Sequence, residues 1–292
     1  MPAVTTRTTT RYLMPGGWPT RPEGTMNFVR ELRMSVRDRP ARPCGPARRG
    51  RGIVGYSARM TDPGRSCLVV GSSDGIGRRV VERMVADGWT VTGISRSPAD
   101  SLGDRHHHHV LDVRAADYRA ALAAVCDQRG PFDVAVYCAG VGDLLELDDL
   151  AAQRAAFEVN LLGAVDTFGV LYPAWRARRA GHFVVLSSLA DKLLGPRSPG
   201  YNASKAAVSS YFESLALAVR GDGIAITNLR FGFVDTKLAK SPLRPFMLTR
   251  DRAARTVARV IARRPIRRST PLPMVALCAA LGLILQCRAL LG

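Results

Sequence analysis

No two of the six cysteines form a CxxC pair or stand at metal-ligand spacing, which argues against a dithiol redox centre and a cysteine-built zinc site. Several lie inside apolar runs, as buried free thiols do, so a reducing, cytoplasmic compartment is expected. The N-terminal region lacks the continuous apolar segment of a secretory signal. No internal repeat is visible. Acidic residues are scarce, 24 against 42 lysines and arginines, for a net charge of +18.

That excess suggests nucleic acid or membrane until it is divided along the chain. Residues 1–60 hold 12 Arg against Glu23, Glu31 and Asp38, or +9, and residues 237–292 hold 12 Lys and Arg against Asp251 alone, or +11. The stretch between them, 61–236, has 18 basic and 20 acidic residues, or −2. The basicity belongs to the two ends. The middle carries no basic face interleaved with aromatics, so no specific nucleic-acid partner is expected.

The first 60 residues are rich in Arg, Pro, Gly and Thr without a sustained period, the pattern of a disordered head. "RPARPCGPARRGRG" (39–52) reads as a solvated extension or as a polyanion binder. "MTDPGRSCLVVG", from Met60, also has the form of a chain start, which would leave 1–59 outside the native product. From Ser66 onward, apolar runs alternate with helical stretches. "SCLVVG" (66–71), "WTVTGIS" (89–95), "HVLDV" (109–113), "FDVAVYCAG" (132–140), "HFVVLSS" (182–188) and "IAITNLRFG" (224–232) read as six strands. The first helix carries Ile76, Val80, Val81, Met84 and Val85 on one face; a long one covers about 149–179 and another 201–221. Strands apolar on both faces and separated by helices predict a single α/β domain over 61–262, a doubly wound parallel sheet in three layers. A basic-apolar tail, 263–292, follows.

"GSSDGIG" (71–77) occupies the first strand-to-helix turn. Gly71 allows a tight turn, Gly75 and Gly77 let the backbone approach a pyrophosphate, and the helix start offers unpaired N–H groups. Ser73, Asp74 and Ile76 complete this phosphate loop. Where an acid after the second strand would take the ribose 2′-hydroxyl of NAD, the chain has Ser95 and Arg96. That favours NADP over NAD, unless Arg96 merely faces solvent.

With these pieces in order, the chain resembles the short-chain dehydrogenase/reductase family over about 64–237. The resemblance rests on "GSSDGIG" (71–77), "LDV" (111–113), "CAG" (138–140), "FEVNLLG" (157–163), "SS" (187–188), "YNASK" (201–205) and "RFGFVDT" (230–236), in register. It implies a Rossmann-like fold and a catalytic set of Asn160, Ser188, Tyr201 and Lys205. Cofactor contacts are implied at Asp112 and Val113 for adenine, at Cys138, Ala139 and Gly140 in the turn beside the cofactor, and at Gly232, Val234 and Thr236 near the nicotinamide amide. It also implies a small carbonyl or alcohol substrate and a homo-oligomer, dimer or tetramer.

The chemistry fits the residue types. Hydride transfer to a carbonyl leaves negative charge on oxygen, so a proton must arrive. Tyrosine, with a pKa of ~10, is a poor donor at neutral pH, and an ammonium four residues on along a helix is expected to lower it. The resemblance also gives Lys205 a bond to the nicotinamide ribose. Ser188 would orient the carbonyl, while Ser187, one residue earlier on a strand, points to the other face. Asn160 would hold a water relaying protons to Lys205. The expected activity is NAD(P)-dependent interconversion of a ketone or aldehyde and an alcohol; a non-catalytic dinucleotide sensor or scaffold on the same fold is the alternative.

Several positions depart from the family. Val70 replaces a threonine, Tyr137 and Cys138 replace paired asparagines, and Phe231-Gly232 replaces Pro-Gly, so hydrogen bonding between the central strands must be supplied otherwise. The usual glycine-rich ending is missing as well, which bears on the tetramer. "RHHHH" (105–109) fits a solvent-facing loop or strand edge. Its side chains alternate between faces, so no metal site is expected. In the tail, 274–285 is twelve residues without a polar side chain, short of the ~20 of a membrane span, downstream of Arg263, Arg264, Arg267 and Arg268. It would lie on a membrane surface or pack on protein. The mixed apolar-basic segment 237–249 points to a lipophilic or anionic substrate.

Overall fold

A strand covered on both faces has no room for unpaired polar side chains, which is why valine-rich runs take the centre of the sheet. In the computed structural model, which describes residues 64–291, seven parallel strands lie in the order β3-β2-β1-β4-β5-β6-β7. They are β1 (Ser66–Val70), β2 (Thr90–Ser95), β3 (His106–Val110), β4 (Val134–Tyr137), β5 (Gly181–Ser188), β6 (Ile224–Phe231) and β7 (Arg267–Thr270). Helices α1 (Gly75–Ala86) and α6 (Arg250–Arg263) cover one face, around Val69, Val80, Val136 and Val257. The other face packs on α2 (Tyr118–Arg129), α4 (Gly163–Arg178) and α5 (Pro199–Ala218), around Leu68, Leu122, Phe168 and Phe212. A last helix, α7, spans Leu272–Leu291. The arginine-rich head and the alternative start at Met60 lie outside the described residues.

The three-layer architecture is the one the sequence predicts, with differences at the edges. The third strand is the histidine run itself, paired from Val91↔His106 to Ser95↔Val110, not 109–113. As an edge strand, it pairs on one side and tolerates polar side chains. Its early end leaves Asp112 and Val113 in the following loop. At the opposite edge, "RRST" forms β7, in register from Asn228↔Arg267 to Phe231↔Thr270. The sheet therefore takes in the first residues of the segment read as a tail. The long helix is broken as well: α3 (Ala151–Phe157) leads into a π turn, Glu158–Leu162, before α4 begins.

Strand order reverses between β1 and β4, so the carboxyl ends of these strands diverge and open a crevice, the usual ligand position in such sheets. The helix that meets it is well started: Asp74 accepts a hydrogen bond from Gly75 N–H at 2.7 Å and caps α1. That cap satisfies one of the helix's first unpaired donors.

His182, wholly buried in β5, tests how the sheet tolerates a titratable group. Its Nε2 lies 2.8 Å from Thr227 Oγ1, whose hydroxyl donates to Pro265 O at 2.5 Å, so Nε2 must carry the proton. Burial, with Arg264 nearby, lowers the pKa from 6.5 to about 3. The unfolded chain takes up a proton near pH 6.5 that the folded one refuses. The stabilisation is therefore complete above that pH and drains away as pH falls toward 3. Urea unfolding at pH 7 and pH 4.5 should show ~2–3 kcal/mol of pH-dependent loss that His182→Gln lacks; identical slopes in the two proteins would remove this assignment.

Candidate active site

The phosphate loop is shaped by close approach. Gly71 has φ +83°, and a Cβ there would stand 2.5 Å from Ala139 N. A Cβ on Gly77 would stand 2.0 Å from Gly71 O. Only glycine fits either place, so the loop is pressed against 138–140 and its backbone lies bare toward the crevice. Ser73 and Ile76 are partly exposed there, and Ile76 reaches the cavity described below. Asp74 pairs with Lys237 at 2.8 Å and caps α1, which together hold its carboxyl below the usual range.

At the end of β2, Ser95 is buried and Arg96 exposed. Asp112 accepts from Arg114 N–H at 2.9 Å and pairs with Arg114 Nη2 at 3.0 Å, which lowers its carboxyl. Val113 packs toward Gly163. The sequence reading missed His108. Its Nδ1 is 3.3 Å from Ser72 Oγ, and its Nε2 is 3.1 Å from Ser97 O and 3.2 Å from Ser95 Oγ. It ties the phosphate loop to the residues after β2. The clue was the alternation of a strand, which turns every second histidine inward.

Tyr137 supplies the bond its replacement of an asparagine demands. Its hydroxyl donates to Val159 O at 2.6 Å, inside the π turn. Next to Val159, Asn160 is buried and fully engaged: Nδ2 donates to Val141 O and to Ser204 Oγ, both at 2.9 Å, and Oδ1 accepts from Val141 N at 2.8 Å. Cys138 lines the cavity, and burial pushes its thiol up to about 12.

Ser188 ends β5, its Oγ accepting from Ala190 N–H at 3.1 Å, and its hydroxyl stands on the cavity wall with Tyr201. Ser187 turns away, donating to Lys205 O at 3.1 Å. Tyr201 and Lys205 share a face of α5, with Nζ 5.9 Å from the ring centroid. Nζ donates to Leu186 O at 3.0 Å, and burial lowers the lysine's pKa to about 8. The expectation that Lys205 lowers the phenol is not met. Burial raises Tyr201, the Ser188 hydroxyl opposes that, and the Asp191 carboxylate adds to it. Desolvation outweighs an ammonium that lies by the ring rather than at the hydroxyl.

Tyr201 and Ser188 open onto a cavity of about 360 Å³, walled by Leu144, Leu193, Phe233, Leu238, Met274 and Cys278. Gly140, Gly232, Val234 and Thr236 line it too. A bare backbone loop at a helix start, two hydroxyls and a buried ammonium fit a dinucleotide on one side and a carbonyl group on the other.

The short chain dehydrogenase model matches residues 65–244. The chain belongs to the short-chain dehydrogenase family. It is accordingly an oxidoreductase of the type acting on alcohol or carbonyl groups. An uncharacterized oxidoreductase of Myxococcus xanthus (strain DK1622) is 30% identical over 214 residues, 68% of this chain and 84% of the relative. Retinol dehydrogenase 8 of Bos taurus is 32% identical over 193 residues, 61% of this chain and 62% of that one. A Burkholderia cenocepacia J2315 short chain dehydrogenase, solved in complex with NADP, has TM-score 0.67 at 21% identity, covering 78% of this chain and 95% of its own.

Within this short-chain dehydrogenase, the Tyr137 bond holds the π turn that carries Asn160. Tyr137→Phe should cost ~1–3 kcal/mol, because Val159 O is left buried without its donor. Urea unfolding measures this, and an unchanged midpoint would mean that the bond contributes nothing.

Proposed function

We propose that the chain reduces the carbonyl of a lipophilic ketone or aldehyde, or oxidises the matching alcohol, with NADP rather than NAD. The observation that carries this is the placing of Ser188 and Tyr201 together on the wall of a largely apolar cavity, with the Lys205 ammonium beside the Tyr201 ring. Bound NADPH would supply the hydride. The chain's own residues do the rest. Ser188 donates to the carbonyl oxygen and orients it. Tyr201 delivers the proton as negative charge grows on that oxygen. Burial that raises the free phenol also keeps it protonated until the reaction calls for the proton. Lys205, with a pKa of about 8, is largely cationic at neutral pH and steadies the phenolate as it forms.

Asn160 holds the 140–142 segment against Tyr201 through both its amide atoms. With its side chain committed, the backbone of the π turn is the group left to hold a relay water toward Lys205, since such a turn shifts the helical pairing of its carbonyls. NADP is supported by Arg96, by the lack of an acid after β2 and by the NADP held in the Burkholderia relative. A lipophilic substrate is supported by the walls of the cavity and by the retinol relative. A homo-oligomer in the cytoplasm belongs to the same reading, on the family's habit and the free thiols; sedimentation velocity that shows only monomer would remove the first.

NADPH oxidation across a panel of apolar ketones and aldehydes tests the chemistry. Tyr201→Phe should slow it ~10²–10⁴-fold while NADPH still binds; equal rates would sink the mechanism. Arg96→Ala should weaken NADP(H) relative to NAD(H) by ~10-fold, as loss of a charge-assisted bond to the 2′-phosphate predicts. An unchanged preference in titrations with both cofactors would withdraw that role.

A further inference from the structure

Helix α7 is seated by a single narrow stripe. Met274 and Cys278 are buried, and Gly282, one turn on, lies against the backbone of Lys192, where a Cβ would stand 2.8 Å from the carbonyl oxygen. Met274 and Cys278 also wall the cavity that holds Tyr201. The rest of the helix faces outward and is apolar: Leu272, Leu283, Ile284 and Leu290 are 70%, 65%, 56% and 85% exposed. A surface helix in water carries charged residues on its outer face. This one has only Gln286 and Arg288 over its twenty residues.

A second part of the cavity lining behaves alike. From Leu238, in the cavity lining, the chain runs on to Leu243 and Phe246, 78% and 53% exposed. The unpaired charge on these segments is basic: Arg244, Arg268 and Arg288 are exposed with no ion pair among the described residues, while Lys237 and Lys240 are paired with Asp74 and Asp143. A second copy docked on this face would set two such basic regions against each other. An anionic lipid surface complements them. With Met274, Cys278 and Gly282 committed to the domain, α7 has no lipid-facing surface on that side and suits the interface, not the interior, of a bilayer.

We propose that α7 and the 238–246 segment seat the cavity mouth on an anionic lipid bilayer, and that the lipophilic carbonyl substrate enters from that bilayer without crossing water. The second half of this rests on the carbonyl-reductase reading above; the first does not. The test uses the full chain and a Leu283→Glu, Ile284→Glu double variant, neither residue being part of the cavity. Both are sedimented with phosphatidylcholine vesicles that contain or lack phosphatidylglycerol. They are then assayed with NADPH on a water-soluble ketone and on a long-chain ketone dissolved in the vesicles.

The wild type should pellet with the phosphatidylglycerol vesicles, and the variant should bind them at least ~10-fold more weakly. Rates on the soluble ketone should match, and only the wild type should turn over the vesicle-bound one efficiently. Absent pelleting, or pelleting equal in both proteins, overturns the docking. A variant that turns from dimer to monomer on gel filtration, with neither protein pelleting, assigns the face to a second copy. Pelleting as expected with no turnover of either ketone leaves the docking standing and sinks the reductase reading beneath it.

Discussion

Two backbones that nearly touch, at the ends of β1 and β4, govern the placement of everything around the crevice. Gly71 leaves no room for a side chain beside Ala139, so the phosphate loop and the 138–142 segment are held at backbone-contact distance. That segment then reaches the catalytic side. Val141 is gripped through both backbone polar groups by Asn160, and a Cβ on Gly142 would stand 2.6 Å from the ring of Tyr201. Gly140 lies near both Asn160 and the ammonium of Lys205. A side chain at Gly71 would move this series of contacts as a unit, because close-packed interiors transmit displacement and do not absorb it.

The departures from the family's usual residues are compensated locally. Where paired asparagines would knit the central strands, Tyr137 reaches out of β4 to a carbonyl of the π turn, and Cys138 fills the space beside Lys205 as a neutral thiol. Beneath the site, the 3₁₀ turn Leu189–Lys192 that follows Ser188 is anchored by a buried ion pair between Asp191 and Arg230 of β6. Ser209 donates to the same carboxylate at 2.6 Å. Such a pair adds little net stability but is costly to break once buried. Its effect here is positional, since it holds the turn that aims Ser188. The Asp191 carboxylate also reaches Tyr201, where it adds to the rise in pKa that burial causes.

The tail divides at the cavity. Its first residues add the seventh strand, and its helix closes one side of the cavity while leaving most of its circumference bare. Gly232, at the end of β6, is where these parts meet: a Cβ there would stand 2.9 Å from Met274. The helix is therefore part of the same compact unit as the crevice.

Much of this was legible in the sequence, because the deciding features are local. The loop "GSSDGIG", the run "YNASK" and the apolar strands each depend on spacing along a few residues, and the two periods of strand and helix give the alternation of elements along the chain. The seventh strand was not legible. "RRST" has no apolar alternation, and an edge strand needs none, since only its backbone and one neighbour hold it. The histidine run, which reads as a solvent-facing loop or strand edge, is the edge strand, but His108 acquires its bonds to Ser72 and Ser95 only when β2 and β3 lie side by side. The phenol's environment is tertiary as well. Four residues along a helix bring an ammonium near a tyrosine, but the direction in which the hydroxyl's pKa moves is set by how much protein excludes water around it and by a carboxylate ten residues upstream. Sequence determined which groups are present and on which element each one rides; the packing of those elements decided how far each group stands from water and from the others, and electrostatic energies depend on those distances.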